Sequence, residues 1–230
     1  MKRLLLALIV LGSAHALTAQ TETLRVKPPF NSAKTLSVTD ISLPFSCLVD
    51  GVVVLEAPIT ERGEFQRVEV RRGFPCLTPL AVQAVEKWKF SPATFEWKPI
   101  ASRMPVVVTF RPPGAVVTPA TLPELTAQTD AAIQAEFQPA EVIHAAFPEY
   151  PYNTVAFGTV VLEVTLSAKG EAEGVRVLRA LTPLTVEAEA VLGKWRFMPA
   201  TFNGHPVRSK IVLAFVFSPI YTPSHSRGSR

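Results

Sequence analysis

This chain contains the same stretch twice. Displaced by 107 residues, positions 51–112 align with positions 158–219 without a gap, and 24 of the 62 aligned positions are identical. The identities include Gly51/Gly158, Glu56/Glu163, Gly63/Gly170, Val68/Val175, Trp88/Trp195 and Phe90/Phe197. They also include the run Pro92-Ala93-Thr94-Phe95, which returns as Pro199-Ala200-Thr201-Phe202. EKWKFSPATFEWKP and GKWRFMPATFNGHP are the clearest pair. Such a chain solves one folding problem twice, with a unit of roughly 60–80 residues, close to the lower size for a domain that folds alone.

Periodicity gives the shape of one unit. Val53, Leu55, Ala57 and Ile59 alternate, as do Val68 and Val70 beyond the turn at Glu61-Arg62-Gly63. This predicts an antiparallel hairpin whose glycine takes positive φ. Leu77, Ala81, Ala84, Val85 and Trp88 then recur at helical spacing, and Pro92 is expected to stop that helix. Met104, Val106, Val108 and Phe110 alternate as a closing strand. The second copy repeats each face with Val160, Leu162, Val164 and Leu166; Val175 and Val177; Leu184, Ala188, Val191, Leu192 and Trp195; Ile211, Leu213, Phe215 and Phe217. The predicted fold class is α+β, two tandem β-β-α-β units, each a three-stranded antiparallel sheet with one covering helix. Trp88, Trp195, Phe90 and Phe197 are the expected core anchors, since a buried Trp contributes about 150–250 Å². Trp97 stands where the second copy has Gly204, in a turn, and is expected to be exposed.

Hydrophobic residues make up 48% of the chain and charged residues 18%, enough apolar material for a packed core and too little charge for a disordered chain. Residues 1–19 read as a secretory signal peptide: Lys2 and Arg3, an apolar run from Leu4 to Leu11, and the small-residue site Ala14-His15-Ala16. The alternative is an uncleaved inner-membrane anchor, but the run falls short of the ~20 apolar residues a spanning helix needs. The formal charge of +4 becomes +2 once Lys2 and Arg3 leave, which is no nucleic-acid footprint. Residues 113–157 hold five acidic residues and no Lys or Arg, a composition break that marks a linker. The expected layout is a signal at 1–19, a first unit at 32–112, a linker at 113–138, a second unit at 139–219 and a disordered tail at 220–230. Within the linker, 124–137 are expected to form a short helix, followed by an extended lead-in over 139–151.

Cys47 and Cys76 both lie in the first copy, opposite Thr154 and Pro183 of the second. A hairpin turning between Glu61 and Arg62 sets the two cysteines face to face at its open end, and export favours oxidation, so a disulfide is expected. No enzyme signature is found. The histidines show no metal-ligand spacing, and there is no nucleophile elbow, P-loop or dinucleotide fingerprint. No enzyme activity, cofactor, small-molecule substrate or nucleic-acid partner is expected. Glu56 and Glu163 occupy equivalent positions and read as residues of a solvated strand face.

A hairpin, a helix ending in W-[KR]-F-x-P-A, an N-G-x-P-V turn and a closing apolar strand resemble the C-terminal domain of the TonB energy-transducer family. The resemblance rests on Phe147-Pro148-Glu149-Tyr150-Pro151, Gly158-Thr159-Val160-Val161-Leu162-Glu163-Val164, Lys169-Gly170, Val175-Arg176-Val177, Lys194-Trp195-Arg196-Phe197-Met198-Pro199-Ala200 and Asn203-Gly204-His205-Pro206-Val207. The first copy lacks the Tyr-Pro and has Glu96-Trp97 at the turn. The resemblance implies a periplasmic protein that grips an extended segment of a cell-envelope protein, of the TonB-dependent outer-membrane transporter kind, by adding it as a strand to a sheet edge. The family has a membrane anchor and a long Pro-rich spacer, where this chain is expected to have a signal peptide and no such spacer before the first copy; binding to an envelope partner is expected, and direct drive by the inner-membrane motor is not.

The closing strands are the expected peptide-binding edges, with Arg103, Val106, Val108 and Phe110 in the first copy and Lys210, Val212, Ala214 and Val216 in the second. These strands are apolar on both faces, as are Val52, Val54 and Val161 of the hairpins. A sheet with one helix is polar on its other side. The second face is therefore expected to be covered, by the other copy, by a second molecule in a homodimer, or by the linker.

Overall fold

The computed structural model describes residues 30–42, 47, 50–64, 67–111, 120–121, 137–151 and 154–218. The expected signal peptide, most of the expected linker helix and the tail lie outside the described residues. The N-terminal half holds β1 (Phe30–Asn31), β2 (Lys34–Ser37), β3 (Gly51–Ile59), β4 (Glu69–Arg72), α1 (Leu77–Val85), β5 (Lys89–Ser91), β6 (Ala93–Phe95), β7 (Lys98–Ile100) and β8 (Ser102–Arg111). A short β9 (Ala120–Thr121) follows. The C-terminal half holds β10 (Phe137–Gln138), β11 (Glu141–Ala145), β12 (Gly158–Leu166), β13 (Ala172–Arg179), α2 (Leu184–Ala190), β14 (Arg196–Met198), β15 (Ala200–Phe202), β16 (His205–Val207) and β17 (Ser209–Phe217). Strands β1, β2, β3, β5, β6, β7 and β8 each begin 107 residues before β10, β11, β12, β14, β15, β16 and β17. The spacing thus reaches back to Phe30 and Phe137, just ahead of the unit boundaries expected at 32 and 139.

The alternating runs form strands as their β-branched content dictates. The helices are shorter than predicted. α1 ends at Val85 rather than at Trp88, because the N–H groups of Lys87 and Trp88 bond three residues back to Ala84 and Val85, tightening the last turn. Pro92 then separates β5 from β6 instead of stopping the helix. In the C-terminal half α2 passes into a 3₁₀ turn at Val191–Lys194. Gly170 has φ +82 in the β12–β13 turn, and a Cβ there would lie 2.3 Å from the Phe197 carbonyl oxygen, so this corner admits glycine alone.

The central sheet has six strands in the order β13-β12-β17-β8-β3-β4. Each half contributes an antiparallel trio, and the trios join where β17 runs parallel to β8, Val106 beside Val212 through Arg111 beside Phe217. Pro105, which has no N–H to donate, stands just ahead of that seam.

The register decides the layers. Val106 corresponds to Leu213 in the repeat but sits beside Val212 in the sheet. Neighbours across a ladder share a face and successive residues alternate. Equivalent residues of the two halves therefore point to opposite sides, and so do the two helices. On one side Leu77 of α1 lies over Gly51; on the other, Trp195 meets Phe215 edge-on at 5.9 Å between ring centroids.

This arrangement answers what covers the second faces. Residues 33–41 pass from beside α1 across the C-terminal half, with Thr39 Oγ1 bonded to the Ala84 carbonyl and Ile41 bonded to Thr159. Residues 137–147 lie against the N-terminal half, where β10 meets β8 and the Arg111 guanidinium sits 5.9 Å from the Phe147 ring centroid. Each half's lead-in roofs the other half's sheet. Phe30 and Phe137 stack, Phe30 and Phe202 stack, and Phe95 packs on Phe202, so the arms of the two halves meet in one aromatic cluster. The core is continuous across both halves.

Candidate functional site

The closing strands are not open edges. β8 lies between β3 and β17, and β17 lies between β12 and β8. Val106, Val108, Phe110, Val212, Ala214 and Val216 are buried and have strand neighbours on both sides. Arg103 and Lys210 lie below the seam and hold carboxylates instead: Arg103 bonds Glu56 and Glu69, and Lys210 bonds Glu163. The expectation of free edges is thereby corrected at the six buried residues, while Arg103 and Lys210, outside the seam, pair on one side with Pro58 and Thr165. Alternation identifies a strand but not its lateral neighbour, and here the two strands satisfy each other's backbone groups.

The sheet's outer flanks are β13 and β4. β13 is eight residues long, pairs only with β12 among the described residues, and is exposed along most of its length. Val175 and Val177 are 44% and 39% exposed on the α2 side. Two irregularities in the β12–β13 register twist the strand. β4 has only four residues.

Trp88, Trp195, Phe90 and Phe197 are all buried. The expected disulfide joins Cys47 and Cys76, with Cα atoms 6.1 Å apart. The hairpin turns about a residue later than the expected register, pairing Leu55 with Val70 and Glu56 with Glu69, and the bridge still closes its open end. Trp97 is 74% exposed in its turn.

Glu56 and Glu163 overturn the reading of a solvated face, being 7% and 1% exposed. Glu56 pairs with Arg71 at 3.2 Å and Arg103 at 3.1 Å. The Arg103 guanidinium loses hydration by burial, but its bonds to Glu56 and Glu69 outweigh this and raise its pKa. Glu163 is the more elaborate case. It accepts hydrogen bonds from Arg176, from Lys210 and from the backbone N–H of Thr35 at 2.7 Å. Burial opposes its charge, yet these donors together hold its pKa below the ordinary glutamate value.

Around Glu163 the C-terminal half cradles an extended backbone. The Arg176 guanidinium donates to the Thr35 carbonyl at 2.6 Å. The buried Thr159 hydroxyl accepts from the Ile41 N–H at 3.0 Å and donates to the Ile41 carbonyl at 3.1 Å. The Thr159 N–H donates to Asp40 at 3.0 Å, and Arg179 pairs with the same carboxylate at 3.3 Å. Sequence reasoning missed Thr35, Asp40, Thr159, Arg176 and Arg179. The signal it had was the recurrence of Glu at 56 and 163, but the partners come from a segment 118–141 residues away in sequence.

Residues 144–219, from the end of β11 through the closing strand, match the family of the Gram-negative bacterial TonB protein C-terminal. That segment belongs to the TonB C-terminal family. No curated protein and no solved structure matches the chain. The TonB C-terminal domain thus coincides with the half that carries the long outer strand β13 and the cradle around Glu163. Among the described residues no helix is long and apolar enough to cross a membrane, and no group of three His, Cys, Asp or Glu residues is placed to hold a metal ion.

Proposed function

We propose that this chain is a periplasmic, non-enzymatic binding protein. In it two TonB C-terminal-like units share one sheet and take hold of an extended segment of a cell-envelope transport protein by strand addition. The observation that carries this reading is the long outer strand β13. It belongs to the TonB C-terminal domain, has one strand neighbour among the described residues, and bears the exposed Val175 and Val177. An incoming strand would satisfy its outward N–H and C=O groups and cover the two valines. With the closing strands occupied by each other, the outer strand takes the place expected of them.

The double substitution V175K/V177K tests this. Both positions are exposed, so folding is expected to survive, while a charged fringe obstructs strand addition. Cross-linking in periplasm followed by pull-down is expected to capture a transport protein with the parent chain and lose it with the variant. Equal capture by both would sink the reading. The same outer strand also fits a second reading, a non-transducing scaffold that self-associates by pairing β13 with its copy. Light scattering separates the two, since the scaffold requires a dimer that V175K/V177K disrupts.

A further inference from the structure

The two second faces of the sheet are roofed in different ways, although the halves are built alike. On the N-terminal half the covered face holds the buried Glu56 with Arg71 and Arg103, and the Arg111 guanidinium lies against Phe147, but the residues over it differ. Phe147 and Pro148 occupy the positions equivalent to Asp40 and Ile41, Val52 stands for Thr159, and Pro148 has no N–H to donate. On the C-terminal half the roof is held by directional bonds to peptide groups: Glu163 to the Thr35 N–H, Arg176 to the Thr35 carbonyl, and Thr159 to both groups of Ile41. Asp40 adds a side-chain contact to this half, accepting from the Thr159 N–H and pairing with Arg179. Both halves bury a glutamate with basic partners on this face, and the C-terminal half adds Thr159 and Asp40; a buried charge network adds little stability over apolar packing.

We propose that this cradle is a recognition site for an extended peptide with an acidic residue followed by an aliphatic one, and that residues 35–41 occupy it as an internal ligand. The ligand class follows from the bonds. Thr35 and Ile41 are read through their backbones, so residue identity there is free as far as hydrogen bonding goes. The sixth residue of the segment must carry a carboxylate for Thr159 and Arg179. The seventh is buried beside the sheet, where Ile41 is 1% exposed. Tethering gives the internal segment a high effective concentration, so an outside peptide enters only when the strap lifts. The inference rests on the reading of this chain as an extended-segment binder, and it fails separately from the β13 reading, because V175K/V177K leaves every cradle bond in place.

The test weakens the strap within the full chain. T35P removes the N–H that Glu163 accepts and D40A removes the carboxylate. A fluorescent peptide spanning residues 33–42 is expected to bind T35P/D40A saturably and the parent chain at least tenfold more weakly. Adding E163Q or T159V to T35P/D40A is expected to weaken binding tenfold or more. A peptide carrying alanine at the position of Asp40 is expected to lose binding to the same degree. Peptide binding insensitive to E163Q and T159V, or none by a folded T35P/D40A chain, overturns the proposal. If T35P/D40A does not fold, hydrogen exchange of the parent chain decides. The Thr35 and Ile41 amides are expected to exchange through a local opening, well before those of Leu162 and Leu213. Exchange of all four together would mean a purely structural strap.

Discussion

At the scale of single residues, the buried carboxylate of Glu163 and the turn at Trp97 make opposite contributions. E163Q leaves Arg176 and Lys210 without their counter-charge. Breaking a buried ion pair costs about 3–5 kcal/mol, and since Arg176 is half exposed the expected loss is nearer 2 kcal/mol, read as a lower urea midpoint. The pH dependence follows from the depressed pKa. Glu163 contributes its stabilisation fully above the ordinary glutamate value of 4.5 and loses it as pH falls through the lower folded value. Acid unfolding of the parent chain, but not of E163Q, is expected to carry this component. At the other site Glu96 and Trp97 have φ 47° and 69°, where the C-terminal half places Asn203 and Gly204 at 50° and 77°. Left-handed backbone costs a bulky residue about 1–2 kcal/mol. Replacing Glu96-Trp97 by Asn-Gly is therefore expected to raise the melting temperature, and no change would mean the turn carries no strain. Comparing the copies made the exposure of Trp97 legible, because Gly204 marks a turn. The burial of Glu163 was not legible. Period two places it opposite the core face, and only the crossing of residues 33–41 makes that face an interior.

At the scale of elements, the seam between β8 and β17 governs what substitutions do. Proline at Ala214 removes a ladder hydrogen bond in a strand flanked on both sides, so A214P is expected to abolish folding, checked by loss of the far-ultraviolet signal. A strand at a free edge would have tolerated it. The clue was present in the sequence, since Ile211 through Phe217 is apolar on both faces, the mark of a strand deep in a sheet. It pointed to a covering layer, which exists, but it did not say that the two closing strands also lie side by side. The hairpin and the cysteine pair were better marked, by alternation, a turn glycine and an even count. Cys47→Ser with Cys76→Ser, opening a loop of 29 residues, is expected to lower stability by about 3 kcal/mol.

At the scale of the whole molecule, the halves form one cooperative body. A shared sheet, exchanged roofs and a common aromatic cluster leave neither half with a complete core. Thermal unfolding followed by circular dichroism and by tryptophan fluorescence is expected to give a single coincident transition. Two separate transitions would show that the halves fold independently. Duplication was evident from the sequence, and so was the α+β class, but the symmetry relating the copies was not. That symmetry depends on a one-residue stagger between two parallel strands, which the sequence patterns do not encode.

The stagger also limits how the gene behind this protein can drift. Duplicated segments ordinarily gain and lose residues independently once they part. Here a single codon lost between positions 106 and 111, or between 212 and 217, would swing every later side chain of that strand through the sheet, exchanging what faces α1 for what faces α2. The two stretches are thus inherited as a matched pair of lengths, and an indel in one survives only with an answering indel in the other.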